Sequence, residues 1–229
     1  INVDFDSYND ESLDGLFHYY GSDKANIFKK NNDQGHGFSR FYTKKFDHLK
    51  NKKVKILEIG SFAGASAAAF SKYFNNASIY CFDINISKFI YSSKKIQVYG
   101  LDIKNKNELD KTLKRISIES KSNLFDIIID DGSHYLKDIL LGLKFLFKHL
   151  NQGGIYVIED FKHPNYYKYN KDIDHIFIDQ VLTNLKKKEL FNSSIISNEE
   201  QLYLQNEIEI IDIFKGNLED SDICFIKKN

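Results

Sequence analysis

KILEIGSFAGAS, residues 55–66, is the stretch that decides the fold. An apolar run ends in Glu58, a turn carrying Gly60 and Gly64 follows, and small residues (Ala65-Ser66-Ala67-Ala68-Ala69) open a helix. Strand, glycine turn and helix start in that order form the βα unit with which parallel sheets hold nucleotide cofactors. The spacing departs from the dinucleotide pattern G-x-G-x-x-G, because position 62 is Phe. Glu58, just before the loop, would crowd a pyrophosphate. Both features favour a cofactor without phosphates.

Working outward, the strand-like runs VKILEI, SIYCFDI, IQVYGL, DIIID and IYVIE alternate with helix-like runs at 64–74, 86–95, 105–120 and 135–150. Apolar strands alternating with helices mean a parallel sheet covered on both faces. After a helix near 172–190, EIEIIDIF and DICFIKK, joined by KGNLEDS, read as an antiparallel hairpin at the sheet edge. The spacing predicts an α/β, doubly wound, mostly parallel seven-stranded sheet. Upstream, Leu13, Leu16, Phe17 and Tyr20 make the apolar stripe of a helix from about Asn9, with Gly21 placed to stop it. Residues 21–40 are polar and glycine-punctuated, a length of loop that usually serves as a lid. A short helix then carries Phe41, Tyr42, Phe46 and Leu49 inward. Residues 1–50 therefore read as a helical lid segment on a cofactor-binding body at 51–229, one domain overall.

Composition excludes several functions. Hydrophobic residues make 42% and charged residues 28% of the 229, which is globular rather than disordered. Lys+Arg and Asp+Glu are equal at 32 each, so no global field draws the chain to nucleic acid or anionic membrane. No apolar run approaches the ~20 residues that span a bilayer, and no signal peptide opens the chain. Cys81 and Cys224 each lie in an apolar strand-like run, the pattern of buried thiols in a reducing, cytoplasmic setting. The chain contains no methionine, not even an initiator, which admits a chain trimmed at its start or one cut from a longer polypeptide.

Two acidic pairs carry the chemistry. Asp130-Asp131 ends the run FDIII, and Glu159-Asp160 ends GGIYVI. Carboxylates gathered at neighbouring strand ends repel unless a cation neutralises them. Asp131, Glu159 and Asp160 are candidate ligands of one ion, and three hard oxygen donors without a clustered thiolate select Mg²⁺ or Mn²⁺ over zinc. His134, in Asp131-Gly132-Ser133-His134, stands one tight turn past the first pair, where an imidazole can take a proton. His163 is the second candidate base. Turn and helix-cap chemistry is the plain alternative for Asp131 and Ser133. Asp83, ending the second strand, is placed to meet ribose hydroxyls, and Asp102, after the third, to accept from an adenine amino group. A helix cap is the alternative for each.

These motifs resemble a class I S-adenosylmethionine-dependent methyltransferase. More narrowly, YGSDK (20–24), YTKKF (42–46), DDGSH (130–134) and GGIYVIED (153–160) resemble the metal-dependent O-methyltransferases of macrolide sugars, over most of residues 16–162. The resemblance implies a Rossmann-like methyltransferase fold. It implies a cofactor site at Glu58, Gly60, Ser61, Gly64, Asp83, Asp102 and Asp130. Asp131, Glu159 and Asp160 match the family's metal ligands and His134 its proposed base, with Asp131 shared between metal and catalysis. The expected reaction is methylation of a hydroxyl on a sugar or sugar-containing metabolite, an antibiotic or surface-glycan precursor, using S-adenosylmethionine and Mg²⁺. Tyr42, His163, Tyr166 and Tyr167 are the candidate acceptor contacts, and the reading admits a homo-oligomer. The alternatives are a methyltransferase of a non-sugar small molecule, an NAD-dependent oxidoreductase, which Phe62 weighs against, and a non-catalytic glycan-binding protein.

Overall fold

The computed structural model describes residues 1–8, 10–30, 32–163 and 176–229. Among them, seven strands form one sheet: β3 (Lys53–Ile59), β4 (Asn76–Asp83), β5 (Ile96–Gly100), β6 (Phe125–Asp130), β7 (Leu150–Glu159), β8 (Ile208–Lys215) and β9 (Asp222–Lys228). The order across the sheet is β5-β4-β3-β6-β7-β9-β8, with β9 antiparallel to both its neighbours and the rest parallel. The chain leaves β3 toward β4 on one side and returns to β6 on the other. That reversal opens a crevice at the carboxyl ends of β3 and β6, the place where open α/β sheets bind ligands.

Strand periodicity builds the two cores. Leu57, Ile59, Tyr80, Ile128, Tyr156 and Ile158 face one cluster, closed by α4 (Lys106–Ser120), α5 (Leu136–Leu146), α6 (Ile178–Lys187) and α7 (Asn198–Glu207). Val54, Ile56, Ile79, Cys81, Ile127, Ile129 and Val157 face the other, closed by α1 (Leu13–Tyr20), α2 (Ser39–Phe46) and α3 (Ala65–Tyr73). Residues one apart on a strand point to opposite faces, so an unbroken apolar run fills two cores at once. The N-terminal 50 residues share the second core with the sheet, because the small side chains of α3 let α1 pack closely on it.

Local differences from the sequence reading have physical causes. Helix α1 starts at Leu13 rather than near Asn9, because the Ser12 side chain accepts from Gly15 N and caps it. The segment 86–95 forms a single 3₁₀ turn, Ile86–Lys88, where a helix was expected. Its backbone is claimed by residues 1–3 instead: Val3 N donates to Ser92 O at 2.8 Å and Ser92 N to Ile1 O at 2.9 Å. Helix α7 was not foreseen, although Ser197 and Glu200 form the reciprocal capping box that announces it. The lid segment contains a small hairpin, β1 (Ile27–Phe28) with β2 (Asp33–Gln34). Among the described residues no helix is long and apolar enough to cross a membrane.

Candidate active site

Registry of the parallel strands brings the acids together. Ile59 pairs with Asp130 and Asp130 with Ile158, so Asp131 and Glu159 leave the sheet side by side. Asp131 N then donates to Ile59 O at 3.1 Å, and Asp160 N to Asp222 O at 2.8 Å. Three non-glycine residues here have left-handed backbones: Phe62 (φ 43°), His134 (φ 62°) and Asp160 (φ 50°). None caps a helix, unlike Lys121 and Lys188. Such conformations cost about 1–2 kcal/mol each and cluster where side chains must be aimed.

Asp131, His134 and Asp160 present ligand atoms all within 4.8 Å of one another. Asp160 Oδ1 is buried without a hydrogen bond. His36 Nδ1 lies 3.3 Å from that oxygen, an ion-pair distance lacking hydrogen-bond alignment, and meets Ser221 Oγ at 2.8 Å. A buried carboxylate oxygen left unpaired is expensive unless a positive charge faces it. Two carboxylates and an imidazole around such an oxygen fit a hard divalent cation.

Glu159 is placed differently from expectation. One oxygen accepts from the Tyr42 hydroxyl and the other from Lys24 Nζ at 2.6 Å, and Glu159 is not in the close group of Asp131, His134 and Asp160. Lys24 Nζ also lies 2.5 Å from Asp131 Oδ2. Lys24 is 2% exposed. Burial opposes its charge, but Asp131 and Glu159 hold its pKa well above the usual lysine value. Burial likewise pushes Glu159 far upward against the pull of Lys24. For His36, burial works downward, yet Asp160 beside it lifts the pKa to about 9. Burial raises Asp160, with His36 opposing.

Tyr42 corrects an expectation. It is fully buried among Phe17, Phe46, Phe70 and Phe225, so it supports Glu159 from below and offers no stacking face to an acceptor. His163 stacks on His134, ring centroids 5.6 Å apart, and its Nε2 lies 3.7 Å from Asp220 Oδ2. Both candidate bases therefore stand together. Tyr166 and Tyr167 lie outside the described residues.

Two cavities meet at this rim, and Asp23, Gly60, Phe62 and Asp131 line both. The first, about 450 Å³, runs from Asp131 and Asp130 past Gly60 to Asp83 and Asp102. Asp83 Oδ2 accepts from Phe62 N at 2.8 Å and Asp102 Oδ1 from Lys104 N at 3.0 Å. The cap of α4 is Asn105, not Asp102. Burial pushes the pKa of Asp130 up to about 7, and Tyr156 donates to it at 3.2 Å. The second cavity, about 360 Å³, lies under the lid segment and is lined by Ser22, Lys24, Phe28, Ser61 and Tyr91 among others. A larger cavity of about 870 Å³ sits at the opposite, amino-terminal end of the strands and is lined by none of the acids named above; its Lys55, Lys72 and Lys95 ammonium groups already donate to backbone carbonyls.

The glycine loop is tight for a reason the sequence hid. A Cβ on Gly60 would stand 2.0 Å from Asp131 O, and one on Gly64 2.4 Å from the Phe89 ring. Both glycines make room for neighbouring protein, and Gly60 also borders both cavities. Ser61 is buried and donates to Glu58 O at 3.3 Å. Glu58 lies wholly buried beneath the loop, taking the Ser66 hydroxyl on one oxygen and leaving the other unpaired. The residues that sequence reasoning missed are Lys24 and His36 as partners of the acids. YGSDK contains the lysine, but nothing local shows that it points at Asp131.

No family model matches the chain. Among curated proteins, the mycinamicin VI 2''-O-methyltransferase of Micromonospora griseorubida is 32% identical over 132 residues, 55% of this chain and 31% of that protein. An 8-demethyl-8-alpha-L-rhamnosyl tetracenomycin-C 2'-O-methyltransferase of Streptomyces olivaceus is 28% identical over 155 residues, covering 65% of this chain and 37% of its own. The match thus spans about a third of these relatives' length. Among solved structures, the MycE methyltransferase of the mycinamycin biosynthetic pathway, in complex with Mg and SAH, superposes with a TM-score of 0.71 at 22% identity. That superposition covers 97% of this chain and 55% of the other. The fold is the Rossmann-like methyltransferase fold, and the chain resembles the macrolide-sugar O-methyltransferases.

Proposed function

We propose that this chain is an S-adenosylmethionine- and Mg²⁺-dependent O-methyltransferase acting on a hydroxyl of a small sugar or sugar-containing metabolite. One observation carries the reading: Asp131 belongs both to the cluster with His134 and Asp160 and to the lining of the cavity that holds Asp83 and Asp102. Donor site and proton-accepting site therefore share one rim. In this reading Asp83 takes the ribose hydroxyls and Asp102 the adenine amino group. The loop of Gly60, Ser61 and Gly64, with Glu58 beneath and Asp130 beside it, shapes the rest of the cofactor site. Asp131 and Asp160 hold the ion, with Glu159 as the third carboxylate in reach. The ion, when bound, lowers the pKa of an acceptor hydroxyl. His134 accepts the proton at its imidazole nitrogen, with His163 stacked behind it as the second candidate. The relatives above are named as O-methyltransferases of mycinamicin VI and of a rhamnosyl tetracenomycin-C, which supports a sugar-like acceptor over nucleic acid. The two free, buried thiols, Cys81 and Cys224, support a reducing, cytoplasmic setting.

Calorimetry with S-adenosylmethionine, S-adenosylhomocysteine and NAD, each with and without Mg²⁺, tests the proposal. We expect both sulfur nucleosides to bind, NAD not to bind, and Mg²⁺ to produce its own saturable heat. NAD binding would replace the reading with an oxidoreductase, and silence from all ligands with a non-catalytic protein.

A further inference from the structure

We infer that Lys24 is a resident cation of the acid cluster, which a divalent ion displaces into the second cavity as it draws Glu159 into its ligand set. The inference rests on the proposed metal site at Asp131 and Asp160. Three observations carry it. The ammonium bridges Asp131 Oδ2 and Glu159 Oε2 at 2.5 and 2.6 Å, the place between two carboxylates that a bridging ion would take. Both Glu159 oxygens are engaged, one by Tyr42 and one by Lys24, and an ion shared between Asp131 and Glu159 would need the place the ammonium now fills. Lys24 also lines the second cavity, so its side chain has open space beside the bridge it would leave.

The backbone around Lys24 is pinned by hydrogen bonds of its own, whereas the side chain is held through its ammonium. Lys24 N donates to Ser22 Oγ at 3.4 Å, Lys24 O accepts from Ser39 N at 3.1 Å, and His36 N donates to Asp23 O at 2.7 Å. Exchange of cations is therefore a swing of four methylenes, with the lid segment staying in place. The arrangement also explains how three carboxylates, Asp131, Glu159 and Asp160, gather at one rim before any ion arrives. An ammonium with three donors and a flexible stem satisfies two of them and gives way to a doubly charged competitor, where a planar, bidentate arginine would hold on. Lys24 is in this sense a positioning residue that keeps the ligands assembled and sets the affinity for the ion.

The test reads metal binding and lysine reactivity rather than turnover. Wild-type protein is acetylated with an amine-specific reagent in EDTA and in saturating Mn²⁺, and labelling of Lys24, Lys29 and Lys30 is read by mass spectrometry. In EDTA, Lys24 should be protected relative to the other two; Mn²⁺ should raise its labelling at least tenfold and leave theirs unchanged. In parallel, free Mn²⁺ is titrated by electron paramagnetic resonance against wild type and Lys24→Met. The variant should bind Mn²⁺ at least tenfold more tightly, since the competing charge is gone. Mn²⁺ bound by wild type with Lys24 labelling unchanged overturns the inference alone, as does an unchanged or weakened affinity in a folded variant. Should Lys24→Met not fold without metal, the wild-type labelling decides. Absence of Mn²⁺ binding to wild type overturns the metal site itself and this inference with it.

Discussion

Gly60→Ala is the sharpest probe of how the cofactor loop is built, because a matched control exists in the same chain. Gly60 and Gly21 share a backbone φ of +81°, but a Cβ at Gly60 would meet Asp131 O at 2.0 Å, whereas one at Gly21 meets nothing within 4 Å. Alanine at either position carries the left-handed penalty of about 1–2 kcal/mol. Only Gly60→Ala must also push the Asp131-Gly132 backbone away, an overpacking strain of about 1–3 kcal/mol. We therefore expect Gly21→Ala to lose about 1–2 kcal/mol and Gly60→Ala roughly 2–5 kcal/mol, a large part of a typical domain's stability. Urea unfolding followed by far-UV circular dichroism measures both, the chain having no tryptophan to report by fluorescence. The displaced backbone carries the Asp131 N to Ile59 O bond of 3.1 Å, so Gly60→Ala should weaken Mn²⁺ binding as well. Equal losses for the two variants, within about 0.5 kcal/mol of measurement error, would refute the close approach as the reason for glycine at position 60.

Three further outcomes are expected. Asp83→Ala should weaken S-adenosylhomocysteine by roughly 1.5–3 kcal/mol, the range for a hydrogen bond to a charged group; calorimetry showing unchanged affinity removes Asp83 from the site. His134→Ala should lose about 10²–10⁴-fold in turnover while still binding cofactor, and a loss below about tenfold with acceptor saturating passes the role to His163. For Asp130, burial raises the folded pKa from 3.8 to about 7. Between those values the folded state keeps a proton that the unfolded state has released, so stability is full below the lower one and falls as pH rises through the upper. In EDTA the loss should approach about 4 kcal/mol, and Asp130→Asn should flatten it; a wild-type profile already flat over that window contradicts the burial.

The sheet was legible because its signal is local. Apolar runs such as VKILEI and DIIID must fill a core on each face, and periodicity two assigns alternate residues to the two cores without knowledge of anything else in the chain. The acids at the ends of β6 and β7 were legible for the same reason, since strand register alone sets Asp131 beside Glu159. The segment 86–95 was misread because its partner is the stretch 1–3, about 90 positions away, where Ile1 and Val3 claim its backbone. Helix α7 is written locally, in the Ser197–Glu200 capping box. What the sequence determined by itself was the order of the strands and which acids stand at their ends. Only the tertiary structure decided how those acids are neutralised. Lys24 meets Asp131 and Glu159 from 107 and 135 positions away, Tyr42 reaches Glu159 from 117, and no pattern in YGSDK or YTKKF reveals a buried charge. The reason is electrostatic: a lysine is a solvated side chain until folding removes its water, and its place is then fixed by whichever carboxylates share the same dry pocket.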